Sequence, residues 1–205
     1  MSVDRTLTER RPGDPPLSTQ PRRRVTPEEY LETERSAETK SEYYNGEMFA
    51  MSGASGAHNL IVANLVTSLV TQTRGRPCFV YPGDLRVKVQ RSGMYTYPDV
   101  SVVCGQPQLE DLHLDTLLNP TLLVEVLSAS TVNYDLGLKA ELYRGLDSLQ
   151  DLLLVSQDRP HLQRYQRESE REWRLTDFRG LEETVGLASI GCTLALRESY
   201  DKVLT

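Results

Sequence analysis

Long apolar runs, cysteine and positive charge are all scarce in this chain, and each scarcity excludes something. No apolar run approaches the roughly 20 residues that span a bilayer. The N-terminus also lacks the apolar stretch of a secretory leader. The sequence therefore predicts no membrane partner and a cytoplasmic location. Cysteine occurs three times, at Cys78, Cys104 and Cys192, widely spaced and with no C-x-x-C pair. That pattern offers no zinc site and reads as three small buried hydrophobes. Against 29 Asp and Glu stand only 23 Lys and Arg, a net charge of −6. Such a balance argues against a broad phosphate-binding surface, which would show as a basic domain. The ten tyrosines are dispersed and form no stacking platform. No G-x-S-x-G elbow surrounds Ser128, Ser130 or Thr131, which read instead as caps for the helix that follows. Gly53-Ala54-Ser55-Gly56 precedes a helix, whose N-terminus can hold an anion, but no P-loop lysine follows it.

The first 24 residues differ from the rest. They hold Pro12, Pro15, Pro16 and Pro21 with almost no large apolar side chains, a composition that cannot bury enough surface to order itself. Six arginines against three acids give this tail a net +3, which leaves −9 on the remainder. Residues 25–205 are long enough for one domain with a substantial core and short for two. The sequence thus predicts an Arg/Pro-rich disordered tail over 1–24 and a single domain over 25–205.

Local patterns predict the elements of that domain. Thr26-Pro27-Glu28-Glu29 combines an N-cap, a proline at the first helical position and a glutamate three residues past the cap, which starts a helix running to about Glu34. Asn45-Gly46 between Glu42-Tyr43-Tyr44 and the run 47–51 is a two-residue hairpin signal. Residues 54–73 carry a helical stripe of Leu60, Ile61, Ala63, Leu65, Leu69 and Val70. A second hairpin is expected from 78–90 to 94–104, turning at Arg91-Ser92-Gly93. There follow a strand over 121–127, a helix from Asp135 to Leu146 with Leu138, Leu142 and Leu146 on one face, and a strand at 152–155. Short strands at 161–167, 172–178 and 193–196 and a small helix near 198–204 complete the chain. This order predicts an α/β or α+β domain built on a mixed sheet with a β-rich C-terminal extension.

Two of these strands carry an oddity. Tyr97-Pro98-Asp99-Val100-Ser101-Val102-Val103 and Leu122-Leu123-Val124-Glu125-Val126-Leu127 each place one carboxylate inside an otherwise apolar, β-branched run. Such a run reads as a buried strand. Burying an ionised carboxylate is costly unless a cation or donor meets it. Alternation puts Glu125 on the face of Leu123 and Leu127, and Asp99 on the face of Tyr97 and Ser101. If the two strands are neighbours, Asp99 and Glu125 converge on one hard cation. Magnesium, with manganese as a substitute, suits a site with few carboxylates and several waters. The alternative is a pair of buried acids met by backbone donors or an arginine.

Pro98-Asp99 followed by Glu125-Val126-Leu127 resembles the PD-(D/E)XK nuclease superfamily. The longer ordered set resembles, within it, the Uma-two family of restriction endonucleases. That set adds Glu42-Tyr43-Tyr44-Asn45-Gly46-Glu47, Met51-Ser52-Gly53, His58, Ser128-Ala129-Ser130-Thr131, Tyr134-Asp135, Lys139 and Leu142-Tyr143. The resemblance covers nearly everything from residue 25 onward. It implies a restriction-endonuclease-like mixed sheet flanked by helices, a magnesium-dependent endonuclease acting on DNA, and a homodimer. The superfamily lysine belongs two residues beyond the second acid, where this chain has Leu127. The resemblance moves the cation to Lys139, one helical turn beyond Asp135 and so on the same face. There it would orient the attacking water or stabilise charge on the phosphate. Glu47 is implied as an accessory acid. His58, Asp84, Asp135 and Tyr143 stay open between support and chemistry. A nuclease-derived domain that binds DNA or protein without cutting, and a hydrolase of nucleotides, are the competing readings.

Overall fold

The structure, a computed structural model, describes residues 24–128 and 135–203. The predicted tail, apart from Arg24, lies outside them, as do Ser130, Thr131 and Tyr134. Helix α1 (Pro27–Ser36) opens with the expected reciprocal capping box between Thr26 and Glu29. Strands β1 (Ser41–Tyr44) and β2 (Glu47–Ala50) pair antiparallel around Asn45 and Gly46. Both turn residues have positive φ, as the tightest hairpin turn requires. Helix α2 (Gly56–Thr73) starts at the Ser55 cap. Strands β3 (Cys78–Pro82), β4 (Arg86–Val89), β5 (Met94–Thr96) and β6 (Val100–Cys104) follow, then β7 (Thr116–Leu117) and β8 (Leu122–Leu127). A π-helical turn, Asp135–Lys139, runs into the short helix α3 (Ala140–Tyr143). Strands β9 (Asp151–Ser156), β10 (His161–Arg167), β11 (Trp173–Arg179), β12 (Thr184–Leu187) and β13 (Cys192–Ala195) lead to α4 (Leu196–Ser199).

The second hairpin is not one hairpin but two pairings in two sheets. β4 and β5 pair with each other, while β3 pairs with β6. Both predicted strands break at the same level, at Pro82-Gly83 and at Pro98. A proline there has no N–H to give to a ladder. The halves separate into a five-stranded sheet, order β2-β1-β5-β4-β7, and a six-stranded sheet, order β11-β10-β9-β8-β6-β3; β12 and β13 form a third. The pairings β8–β9 and β4–β7 are parallel and the rest antiparallel, so the sheets are mixed as expected.

The six-stranded sheet is apolar on both faces. Val100, Val102, Val124, Val126 and Val155 pack against Ile61, Leu65 and Leu69 of α2 and against the β12–β13 pair. Val103, Leu123, Leu127, Leu152 and Leu154 face Val87, Val89 and Met94 of the five-stranded sheet, with Ala140 and Tyr143 of α3. Glu125 and Asp99 belong by alternation to this second face.

Two expectations need correcting. Cys78 and Cys104 are not independent buried hydrophobes: they are register partners on β3 and β6 and form a disulfide, leaving Cys192 as the buried free thiol. The predicted hairpin places both at its open end, 26 residues apart, and the observed β3–β6 register makes them partners. The helix from Asp135 is shorter than predicted, and the π-helical turn rotates its faces. Asp135, Lys139, Ala140 and Tyr143 point inward, while Leu138 is exposed. Among the described residues no helix is long and apolar enough to cross a membrane.

A polar network ties α1 to the five-stranded sheet. Asp115 accepts from Arg35 Nε at 2.8 Å and from Arg86, at 2.8 Å. Arg86, 3% exposed, also donates to Thr116 and to the Tyr97 hydroxyl, which donates in turn to Glu34. The Arg35 hydrogen bonds, with help from Arg86, outweigh burial and hold Asp115 well below the usual carboxylate range. A depressed folded value means that Asp115 contributes stability above its unfolded pKa, near 3.9, and loses it as pH falls through the folded value. Asp115→Asn should therefore cost about 2 kcal/mol at pH 7, the scale of hydrogen bonds to charged groups. The difference should shrink towards pH 2, which melts at the two pH values measure directly. An equal deficit at both would sink the assignment.

Candidate active site

The strands bring the two acids together. β6 and β8 are antiparallel neighbours in the register Val100↔Val124, and one further step along that register sets Asp99 opposite Glu125. Directly opposed residues of an antiparallel pair share a face. Asp99 Oδ2 accepts the Val126 N–H at 2.7 Å and lies 3.2 Å from His58 Nε2. Its Oδ1 takes no hydrogen bond from the described residues. Glu125, 5% exposed, accepts through Oε1 from the Tyr143 hydroxyl at 2.5 Å and from Lys139 Nζ at 3.0 Å.

Lys139 is the hub of a buried cluster. The residue is 4% exposed, and its ammonium lies 2.7 Å from Glu42 Oε1 and 3.8 Å from Asp135 Oδ1 besides its bond to Glu125. Glu42 also accepts from Thr96 Oγ1 at 2.5 Å, and that hydroxyl is 3.1 Å from Tyr143 Oη. The π-helical turn, a feature frequent at functional sites, delivers both Asp135 and Lys139 inward. Burial lowers the pKa of Lys139, but Glu125, Tyr143, Glu42 and Asp135 outweigh it and hold it well above the usual lysine value. Burial pushes Glu125 up to about 8, with Asp99, Asp135 and Glu42 adding to the rise and Lys139 opposing it. The hydrogen bond to Asp99 holds His58 above its ordinary value, against burial.

These side chains line one cleft of about 630 Å3, together with Phe49, Met51, Ser55, Tyr97 and Gln157. Of the residues singled out from sequence, the cleft gathers Asp99, Glu125, Lys139, Asp135 and His58, and Tyr143 supports it from beneath. Glu47 is placed elsewhere: it is exposed on β2 and is not among the lining residues. Asp84 is exposed and paired with Lys40. The acid that the β1–β2 hairpin contributes to the cleft is Glu42. Alternation along β2 puts Glu47 and Phe49 on one face, and register sets Phe49 opposite Glu42. Glu47 thus shares the face but lies a strand step too far out. No local signal separates the two glutamates; only the register does.

The donor set suits a hard cation. Four carboxylates, Glu42, Asp99, Glu125 and Asp135, surround one ammonium and one imidazole. Asp99 Oδ1 and Glu125 Oε2 are the oxygens without protein hydrogen bonds among the described residues. No group of three or more His, Cys, Asp or Glu side chains is gathered at metal-holding spacing there. A cation would hence draw two protein oxygens and complete its shell with water or substrate oxygen, the habit of magnesium.

A family model described as "Putative restriction endonuclease", Uma2, matches residues 27–197. The chain belongs to the Uma2 family. Within the same range of similarity are two uncharacterized proteins of Synechocystis sp. The first, sll1609, is 35% identical over 156 residues, covering 76% of this chain and 88% of that protein. The second, slr1290, is 34% identical over 177 residues, covering 86% and 92%. The fold matches the crystal structure of "a putative nuclease belonging to DUF820" from Anabaena variabilis with a TM-score of 0.72. That match has 19% identity and covers 88% of this chain and 99% of the other. The restriction-endonuclease-like architecture expected from the Uma2 resemblance is the one observed.

Proposed function

We propose that the chain is a divalent-metal-dependent endonuclease that hydrolyses DNA phosphodiester bonds, with residues 25–205 as one catalytic unit. The observation that carries this reading is the convergence of Asp99 and Glu125, one from each of two neighbouring strands, on a cleft where Lys139 bridges Glu42 and Glu125. Asp99 and Glu125 would hold the cation, with Oδ1 and Oε2 as the available oxygens. A bound magnesium would lower the pKa of a water and stabilise charge on the phosphate.

The other groups prepare these two. The Val126 N–H and His58 tie down one oxygen of Asp99, which fixes the direction of the other. Tyr143 and Lys139 do the same for Glu125. Lys139 opposes the burial that pushes Glu125 up, and its positive charge favours negative charge developing on a phosphate at the cleft floor. The acidic surface predicts weak, local DNA binding with no long basic track. A DNA substrate agrees with the cytoplasmic location expected from sequence, and a homodimer would let two such sites cut both strands.

Incubating the purified protein with supercoiled and single-stranded DNA tests the reading. Cleavage is expected with magnesium or manganese and should vanish on chelation. Cleavage that survives chelation would remove the metal from the proposal. Manganese binding by calorimetry without cleavage would favour a binding domain that no longer cuts.

A further inference from the structure

The wall of the cleft is chemically unlike its floor. β1 and β2 pair with Glu42 opposite Phe49, so the phenyl ring projects from the same sheet face as the glutamate that reaches Lys139. Met51 follows two residues on, where the chain still pairs with β1 through its N–H to the Lys40 carbonyl. Phe49 is 43% exposed and Met51 38%, and both line the cleft. One exposed hydrophobe on a surface needs no explanation. Two on one strand face, opening onto a floor of carboxylates, form a built surface. The wall continues through Ser52-Gly53-Ala54-Ser55, small and uncharged.

Cations are the missing ingredient. Among the described lining residues the basic groups are His58 and Lys139, and both face carboxylates: His58 faces Asp99, and Lys139 faces Glu42 and Glu125. A duplex is gripped chiefly through its phosphates, and this cleft has little to grip them with. A single strand offers another handle, because every unpaired base has a face that stacks on an aromatic ring whatever its sequence. The cleft volume, about 630 Å3, falls in the range that encloses small molecules, on the scale of nucleotides and not of a duplex groove.

We propose that Phe49, flanked by Met51, is a stacking platform for an unpaired base beside the scissile phosphate, so that the substrate is single-stranded or locally melted DNA. This rests on the nuclease reading and narrows it. A paired base must leave its stack before it can reach Phe49, at a cost that is least where the strand is already open. Strand state, and not base sequence, is then what the cleft selects.

The test is binding of the full chain to labelled DNA with calcium in place of magnesium, measured by fluorescence anisotropy. Three probes serve: a short single strand, the matching duplex, and a single strand of the same length with its bases removed. The wild-type protein should prefer the base-bearing single strand to both others. Phe49→Ala should weaken that binding about tenfold to a hundredfold, the scale of one lost base stack, and leave the base-free strand unchanged. Phe49→Trp should restore it. A duplex bound as tightly as the single strand, or a Phe49→Ala variant with undiminished binding, would overturn this inference and leave the nuclease reading intact. Failure to bind or cut any DNA would overturn both.

Discussion

Replacing Asp99 with asparagine should reduce metal-dependent cleavage about a thousandfold while leaving the fold in place. The magnitude is the several kcal/mol that a catalytic cation contributes to a developing phosphate charge. The choice of asparagine follows from geometry. Its amide oxygen can still accept the Val126 N–H that Asp99 Oδ2 accepts at 2.7 Å, so no buried donor is orphaned. What disappears is the charge, and with it one of the two oxygens free of protein hydrogen bonds. Glu125→Gln should act the same way on the cation, with a larger penalty to the fold because Lys139 loses one of its partners. Two measurements separate site from scaffold: manganese affinity by calorimetry, which should collapse in Asp99→Asn, and thermal melting without metal, which should barely move. Cleavage unaffected in both variants would remove these acids from the active site.

The largest stability effect should come from Lys139→Met. The side chain is 5% exposed and lies among Glu42, Glu125 and Asp135. Methionine fills similar space but leaves those carboxylates without their cation. Breaking a buried pair from one side typically costs about 3–5 kcal/mol, which for a chain of this length corresponds to roughly 10 °C or more in melting temperature. The pH dependence has a definite sign. Glu125 already titrates near 8 because of burial and neighbouring carboxylates, with Lys139 pulling the other way; without the lysine it should titrate higher still. A carboxyl group whose folded pKa exceeds its unfolded value, near 4.3, binds more protons when folded, so stability falls as pH rises between the two. Both proteins should lose stability in parallel as pH rises from about 4 to about 8, and the extra deficit of the variant should open above that. A Lys139→Met protein as stable as wild type at pH 9 would mean that the cluster is not ionised as described.

Much of this site was legible before any coordinates. Asp99 and Glu125 stood out because a carboxylate within a β-branched run is energetically conspicuous wherever the strands go. The i, i+4 spacing of Asp135 and Lys139 put both on one side, and the observed 3.8 Å contact follows from it despite the π-helical turn. His58, which stays open between support and chemistry, donates its backbone N–H to the Ser55 cap and turns its ring to Asp99. Glu42 escaped because its conspicuousness is tertiary. In Ser41-Glu42-Tyr43-Tyr44 it looks like an ordinary strand glutamate, and it is buried where Thr96 of β5 and Lys139 of the π-helical turn meet it.

The sequence by itself determined how α1 begins and where the β1–β2 hairpin turns, through the Thr26 capping box and Asn45-Gly46, because those are set by backbone sterics within a few residues. It also determined that an acid would lie within each of two apolar strands, because hydrophobic patterning is local; Glu125 is buried and Asp99 half-buried. Tertiary structure alone decided that Cys78 meets Cys104, that the long hairpin divides between two sheets, and that Glu42 rather than Glu47 enters the cleft. The first is a pairing across 26 residues, the second a division of one hairpin between sheets, and the third the choice of one register among several. Such choices depend on which faces are buried together, and no short window of sequence contains that.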